Sequence, residues 1–347
     1  MHTCPSYSKF LAILLLTVAS TAQFGAAQQA AQPASAGQQS SEDQKPTETL
    51  KVNVNVVQLF FNVKDKHGAL IPNLKKEDFD IAEDGKPQSI KYFTAETNLP
   101  LTVGMVIDSS GSQRNVIEME KEVGGAFLRQ ILTDKDEAFV ISFDITVDLL
   151  QDFTRDVHRL QAALNKAKVN VDYSSGGIPG MGGGPVPQGN APGTLLYDAV
   201  YLSAHDMLSK EVGRKAMILL TDGQDEGSRL RIQDAIEAAQ KADAIVYVLL
   251  CADRGFYGSF GMGYSGEGDM RKLTEQTGGR VINVGNKFDK LKEAFDQIAQ
   301  ELRSQYNIGY TPTNEKRDGS YRKIEIKNKE NYKIQARAGY YAGKSED

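Results

Sequence analysis

The sequence predicts an α/β fold: a doubly wound, mostly parallel sheet inserted in a split small β-sandwich. Three observations carry this. Near-continuous apolar runs alternate with amphipathic stretches through the middle of the chain. Shorter, strand-like runs flank that middle on both sides. Each flank has about forty residues, too few for a stable core alone, so the two are expected to pair, the alternative being that each docks separately on the α/β unit as a ribbon.

The chain has 347 residues, 40% of them hydrophobic, and a formal net charge of −5. No dense Lys/Arg block or basic aromatic stripe is present, which argues against nucleic acid as a partner. The start, "MHTCPSYSKFLAILLLTVASTAQFGAAQQA", has a short polar opening with Lys9, an apolar core from Phe10 to about Ala19, then small residues at Ala22 and Ala26–Ala27. That is the layout of a cleavable signal peptide over residues 1–27, because the apolar run is too short to cross a bilayer of about 30 Å. An uncleaved anchor is the alternative. No later run is apolar enough to span a membrane, so the mature chain is expected to be a bacterial secreted or periplasmic protein. Of two cysteines, Cys4 leaves with the signal, and Cys251 is expected to end a buried strand as a small apolar residue.

Residues 28–49 are Gln, Ala, Ser and Pro with almost no large apolar group, the composition of a flexible leader. From 50 to 95 the chain reads as the first part of the sandwich. Val52, Val54 and Val56 alternate with Asn in "KVNVNVVQLFFNVKD", and Asp84-Gly85 lies between apolar arms as a hairpin signal.

From 96 to 303 strands and helices alternate. The strand-like runs are "LTVGMVID", "EAFVISF", "KAMILLTD", "AIVYVLLC" and "RVINV". Helical patterns cover Val116–Leu132, Leu195–Leu208, Ile232–Ala242 and Phe288–Leu302. In the last, Phe288, Leu291, Phe295, Ile298 and Leu302 recur at steps of three and four. Residues 304–343 turn β-like again and form the second part of the sandwich. Two Gly-rich loops, 173–193 and 254–268, match no phosphate-binding pattern; they read as surface insertions that could rim a site.

The first α/β strand ends in "DSSGS". In an open parallel sheet the loops leaving the strands' C-terminal edges gather where ligands bind, so Asp108, Ser110 and Ser112 belong on that edge. "TDG" places Asp222 there, and Thr194 can point its hydroxyl into the same space. Such an all-oxygen set with two carboxylates suits a hard octahedral cation, Mg²⁺ or Mn²⁺, which keeps waters and an open position. Taken singly, each residue also reads as an ordinary cap or turn residue.

D-x-S-x-S, a distant Thr and a later "TDG" resemble the metal-ion-dependent adhesion site (MIDAS) of the von Willebrand factor type A (VWA) domain, also found as the integrin I domain. The resemblance implies that Ser110, Ser112 and Thr194 contact the metal directly, and that Asp108 and Asp222 act directly or through water. The flanks "LKKEDFDIAEDGKPQSIKYF" and "YNIGYTPTNEKRDGSYRKIEI" resemble the VWFA-related family of acidobacterial secreted proteins. The expected function is a secreted, metal-dependent protein-binding module for adhesion or scaffolding, which captures an exposed Asp or Glu of a protein or peptide. A structural envelope protein with a vestigial metal site is the alternative. A metal-dependent hydrolase is disfavoured: His2, His67, His158 and His205 are scattered, and Asp144 and Asp148 fit a strand-turn-strand edge. No catalytic residue is assigned.

Overall fold

In chain order the elements are β1 (Val57–Lys64), β2 (Phe79–Glu83), β3 (Lys86–Gln88), β4 (Ile90–Glu96), β5 (Leu101–Asp108), α1 (Ile117–Ile131), β6 (Glu137–Phe143), β7 (Val147–Thr154), α2 (Val157–Leu164), α3 (Leu196–Leu202), β8 (Arg214–Thr221), α4 (Ile232–Lys241), β9 (Ala244–Leu250), α5 (Glu267–Thr277), β10 (Val281–Asn283), α6 (Phe288–Arg303), β11 (Gln305–Tyr310), β12 (Tyr321–Asn328), β13 (Lys333–Ala336) and β14 (Gly339–Tyr341). This computed structural model describes residues 56–96, 99–169, 193–252 and 266–343. The expected signal and leader, Val52 and Val54, residues 173–192 and residues 254–265 lie outside the described residues.

The central sheet has six strands in the order β10-β9-β8-β5-β6-β7, all parallel except β7, which runs antiparallel along β6. Its inner strands β8, β5 and β6, with β9, are apolar on both faces because each face is covered. Along β5, Leu101, Val103, Met105 and Ile107 join a core with α1, α2 and α6, while Val106 faces the other core with α3, α4 and α5. Between them Gly104 leaves room for the Phe139 ring, whose Cζ would stand 2.4 Å from a Cβ at that position.

Helix α6 shows how the sequence pattern becomes packing. Leu291, Phe295, Ile298 and Leu302 are buried, and each such side chain stabilises the fold by about 1.5–3 kcal/mol before the entropy of ordering is counted. Phe288, read as part of the same stripe, is instead 43% exposed, because it opens the helix beyond the edge of the core. The helical pattern over Leu195–Leu208 splits into α3, a π turn at Ser203–Met207 and a 3-10 turn at Leu208–Lys210. Helices α2 and α5 have no counterpart among the expected elements, and Glu267 and Gly268, expected in a loop, belong to α5.

Two antiparallel four-stranded sheets, β13-β1-β11-β4 and β14-β12-β2-β3, enclose a third core. Strands from before and after the α/β elements mix in both. β11 lies between β1 and β4, with Ile308 opposite Leu59 on one side and Phe93 on the other, and β12 pairs with β2. The buried face of β1 is Val57, Leu59, Phe61 and Val63; Val56, read from the Val/Asn alternation as inward, is only half-buried. Phe61, Phe79, Phe93 and Tyr306 pack with ring centroids 5.3–5.9 Å apart. The β2–β3 turn has φ 48° at Asp84 and 77° at Gly85, the two left-handed positions that a tight hairpin requires. Among the described residues no helix is long and apolar enough to cross a membrane.

Candidate metal centre

Asp108, the last residue of β5, is fully buried. Its carboxylate is held from two sides: the Ser110 N–H donates to Oδ1 at 2.9 Å and the Thr221 hydroxyl donates to Oδ2 at 2.7 Å. The Thr221 oxygen in turn accepts the Gly223 N–H at 3.0 Å, in a turn where Gly223 takes φ 83°. The loop after β5 is tied down at Ser109, whose N–H and hydroxyl both donate to the Phe143 carbonyl at 2.8 and 3.1 Å. Beyond it the hydroxyls of buried Ser110 and half-buried Ser112 lie 3.0 Å apart.

Asp222 follows β8 directly and is 1% exposed; its Oδ1 accepts the Gln224 N–H at 3.0 Å. Burial, and next the Asp222 charge, push the Asp108 carboxyl up to about 7. In this water-poor site the Asp222 charge opposes the ionisation of Asp108, and a cation or a proton relieves the conflict.

Thr194 is buried and joins the same edge through the backbone. It exchanges N–H and carbonyl bonds with Glu226 at 3.2 and 3.0 Å, and the next N–H, of Leu195, donates to the Asp144 carbonyl at 2.8 Å. The structure thus groups Asp108, Ser110, Ser112 and Asp222, and ties Thr194 to the loop that Asp222 begins. That loop is ordered from α3: Asp225 accepts the Tyr197 N–H and the Ser228 hydroxyl, while Asp198 accepts the N–H groups of Arg229 and Leu230.

Two residues at this edge do not emerge from the sequence patterns above. Thr221 sits inside the quoted "TDG" and fixes one Asp108 oxygen. Glu120 is fully buried on α1, and its carboxyl is pushed up to about 8 by burial, with the Cys251 thiol and the Asp108 and Asp222 charges as further neighbours. A signal for it exists: in "IEMEKEV" it occupies the inward face with Ile117, Val123 and Gly124, an unusual place for an acid. Cys251 is buried directly after β9, and burial raises its thiol well above the ordinary value. His67, His158 and His205 fall in the loop after β1, in α2 and in the π turn after α3. Asp144 and Asp148 shape the β6–β7 turn through Thr146, which donates to both. Among the described residues, no group of three or more His, Cys, Asp and Glu side chains is placed to hold a metal.

Neither the protein-family models nor the curated proteins compared with this chain gave a match. Similar solved structures include BatB from Bacteroides thetaiotaomicron, at 19% identity and TM-score 0.42, covering 59% of this chain and 100% of that one. The vWF domain of the type V pili tip protein Mfa5 from Porphyromonas gingivalis matches at 14% identity and TM-score 0.42, covering 59% of this chain and 95% of that one. Proximal thread matrix protein 1 from the mussel byssus, in a structure with a zinc-occupied MIDAS motif, matches at 15% and 0.42 over 64% of this chain. The present chain spans about half the length of the mussel protein (50%). Solved structures similar to this chain thus include VWA-type domains, and the likeness is one of fold alone.

Proposed function

We propose that the chain is a secreted or periplasmic, metal-dependent protein-binding module for adhesion or scaffolding. Asp108, Ser110, Ser112, Thr194 and Asp222 would hold one Mg²⁺ or Mn²⁺. The observation that carries the reading is the pair of buried carboxylates, Asp108 and Asp222, beside two hydroxyls at the C-terminal edge of the parallel strands. Such a donor set, all oxygen with only two charges, fits a hard cation that keeps an open position. The bound cation would supply an electrophilic contact for a carboxylate of a protein or peptide partner. Thr221 and the Ser110 amide hold Asp108 in one orientation before any ion arrives, and the Ser109 anchor to Phe143 sets the position of both serines. The α/β unit, residues 96–303, would present this edge from within a β domain made of residues 50–95 and 304–343.

Calorimetric titration with Mn²⁺ tests the site. Asp108→Ala should bind far more weakly than the wild type, having lost one of two negative charges; equal affinity would remove the proposal. Capture of an Asp- or Glu-bearing peptide from a library should vanish with EDTA and with the matching Asn or Gln peptide. Capture that survives chelation would refute the metal bridge while leaving metal binding intact.

A further inference from the structure

A second chemical feature lies at the C-terminal end of α6, where Lys64, Glu301 and Gln335 meet. Lys64 ends β1, Glu301 is in the last turn of α6, and Gln335 is on β13, the strand paired with β1. Both members of the ion pair are nearly out of water, with side chains 10% and 3% exposed. The Lys64 Nζ lies 2.8 Å from Glu301 Oε1 and 2.8 Å from the carboxamide oxygen of Gln335. The Gln335 amide nitrogen donates to the other carboxylate oxygen, Glu301 Oε2, at 3.1 Å. One carboxylate therefore bridges an amine and the amide nitrogen of the carbonyl group that this amine already touches.

We infer that Lys64 and Gln335 are the partners of an intramolecular isopeptide bond, with Glu301 as the proton shuttle. The step conserves atoms and involves no oxidant. Lys64 gives a proton to Glu301 Oε1, and the freed amine attacks Gln335 Cδ. The Nζ–Cδ bond forms and the Cδ–Nε2 bond breaks, while Glu301 delivers its proton to Nε2. The nitrogen departs as ammonium after taking the second Nζ proton, so one ammonium replaces one lysine charge. Holding the amine at the carbonyl oxygen lowers the entropic part of the barrier to reaching Cδ, and acid–base help at both nitrogens is what amide exchange requires.

The surroundings favour the free amine and the delivery of the shuttled proton to the departing nitrogen. Burial draws the Lys64 ammonium below its ordinary range, against the pull of Glu301, which favours the nucleophilic form. Burial works to raise the Glu301 carboxyl, but Arg280 and then Lys64 hold it low. Arg280 donates to Glu301 through Nε at 2.8 Å and to Gln297 at 2.8 Å. When the lysine charge is consumed, Arg280 remains as counter-ion, so the product does not leave a buried carboxylate alone. The Gln335 amide also donates to the Gly278 carbonyl at 3.2 Å, which keeps its plane turned toward Glu301. Asn62, on β1 two residues before Lys64, donates to the Glu301 carbonyl at 2.8 Å and fixes the helix end against the strand.

Mass spectrometry of the intact, natively folded chain tests the bond directly. The expected mass is lower than that of the unmodified mature sequence by about 17 Da, the loss of one ammonia. Proteolysis should release one branched peptide joining the segments around Lys64 and Gln335. Lys64→Arg keeps the charge but should show the full mass, as should Glu301→Gln. A full mass in the wild type overturns the inference, and so does a loss of ammonia located at any other residue. Both of these results are read from the wild type, so they hold even where a variant folds poorly.

Discussion

In metal-free solution the stability of this protein should fall as pH rises, a trend set by Asp108. The ordinary carboxyl value is 3.8 and the folded one about 7. Between those values the folded chain holds a proton that the unfolded chain has released, so stability declines with pH. The contribution is fully present below about pH 4 and lost once pH passes about 7. A gap of about three pH units at about 1.4 kcal/mol each gives a loss of about 4 kcal/mol. Glu120, with a carboxyl at about 8, adds a loss of the same sign. Asp108→Asn removes the ionisation while its amide oxygen still accepts the Ser110 N–H; its amide nitrogen cannot accept the Thr221 hydroxyl, a cost that does not vary with pH. In metal-free urea titrations followed by circular dichroism, the chain having no Trp, the variant should overtake the wild type at pH 8 and lose that advantage at pH 5. Saturating Mn²⁺ should restore the wild type at pH 8 and leave the variant unmoved. A wild-type stability that is flat or rising from pH 5 to 8 without metal would refute the reasoning. A variant weaker by one constant margin at both values would do the same.

Three further expectations concern the scaffold. Gly104→Ala should cost about 1–3 kcal/mol, since the new Cβ stands 2.4 Å from Phe139 Cζ, and Phe139→Leu should recover part of it; urea midpoints that do not move would show the β5–β6 contact to be slack. In the sandwich, Arg322 and Glu83 pair at 3.3 Å with both side chains 2% exposed, so Arg322→Met should destabilise by about 3–5 kcal/mol by stranding the Glu83 charge; a change below about 1 kcal/mol would mean that the Tyr310 and Tyr340 hydroxyls suffice. A chain truncated after Arg303 loses β11, the strand between β1 and β4, and should be cut rapidly by protease around Val57–Phe61, whereas unchanged protection there would favour separate docking of the first β piece.

Much of this architecture is visible in the residues because burial on both faces leaves an unambiguous trace. "LTVGMVID" and "EAFVISF" coincide with β5 and β6 to the residue. The Asp84-Gly85 turn is equally legible, since few residues tolerate two successive left-handed positions. Short helices are harder. Helix α2 has eight residues and an Asp156 cap that accepts the N–H groups of His158 and Arg159, but its apolar side is only Leu160, Ala163 and Leu164. Phe288 misleads for the opposite reason, because periodicity assigns a face and says nothing of where the core stops. At the candidate site, "DSSGS" and "TDG" announce their carboxylates, whereas Thr221 and Glu120 act through distant partners that spacing does not reveal. The Lys64–Glu301–Gln335 contact joins three elements far apart in sequence, and no local pattern marks it.

Arg214 has a consequence for the order in which the molecule assembles. Its guanidinium bonds the Leu99 carbonyl through Nε and Nη2, at 3.2 and 2.8 Å, and the Leu302 carbonyl through Nη1. Leu99 lies just before the first strand of the α/β unit and Leu302 just before its exit, so entrance and exit are stapled side by side. Strands β1 and β11 meet only across the whole of that unit, and closing so long a loop in an unfolded chain is slow and entropically costly. Once the central sheet has formed, the loop is already closed at its neck. The sandwich strands then search for each other from adjacent starting points. Folding should accordingly be sequential, with β1–β4 left without β11 and β12 until the α/β unit is complete; until then their unpaired edges are the segments most exposed to aggregation.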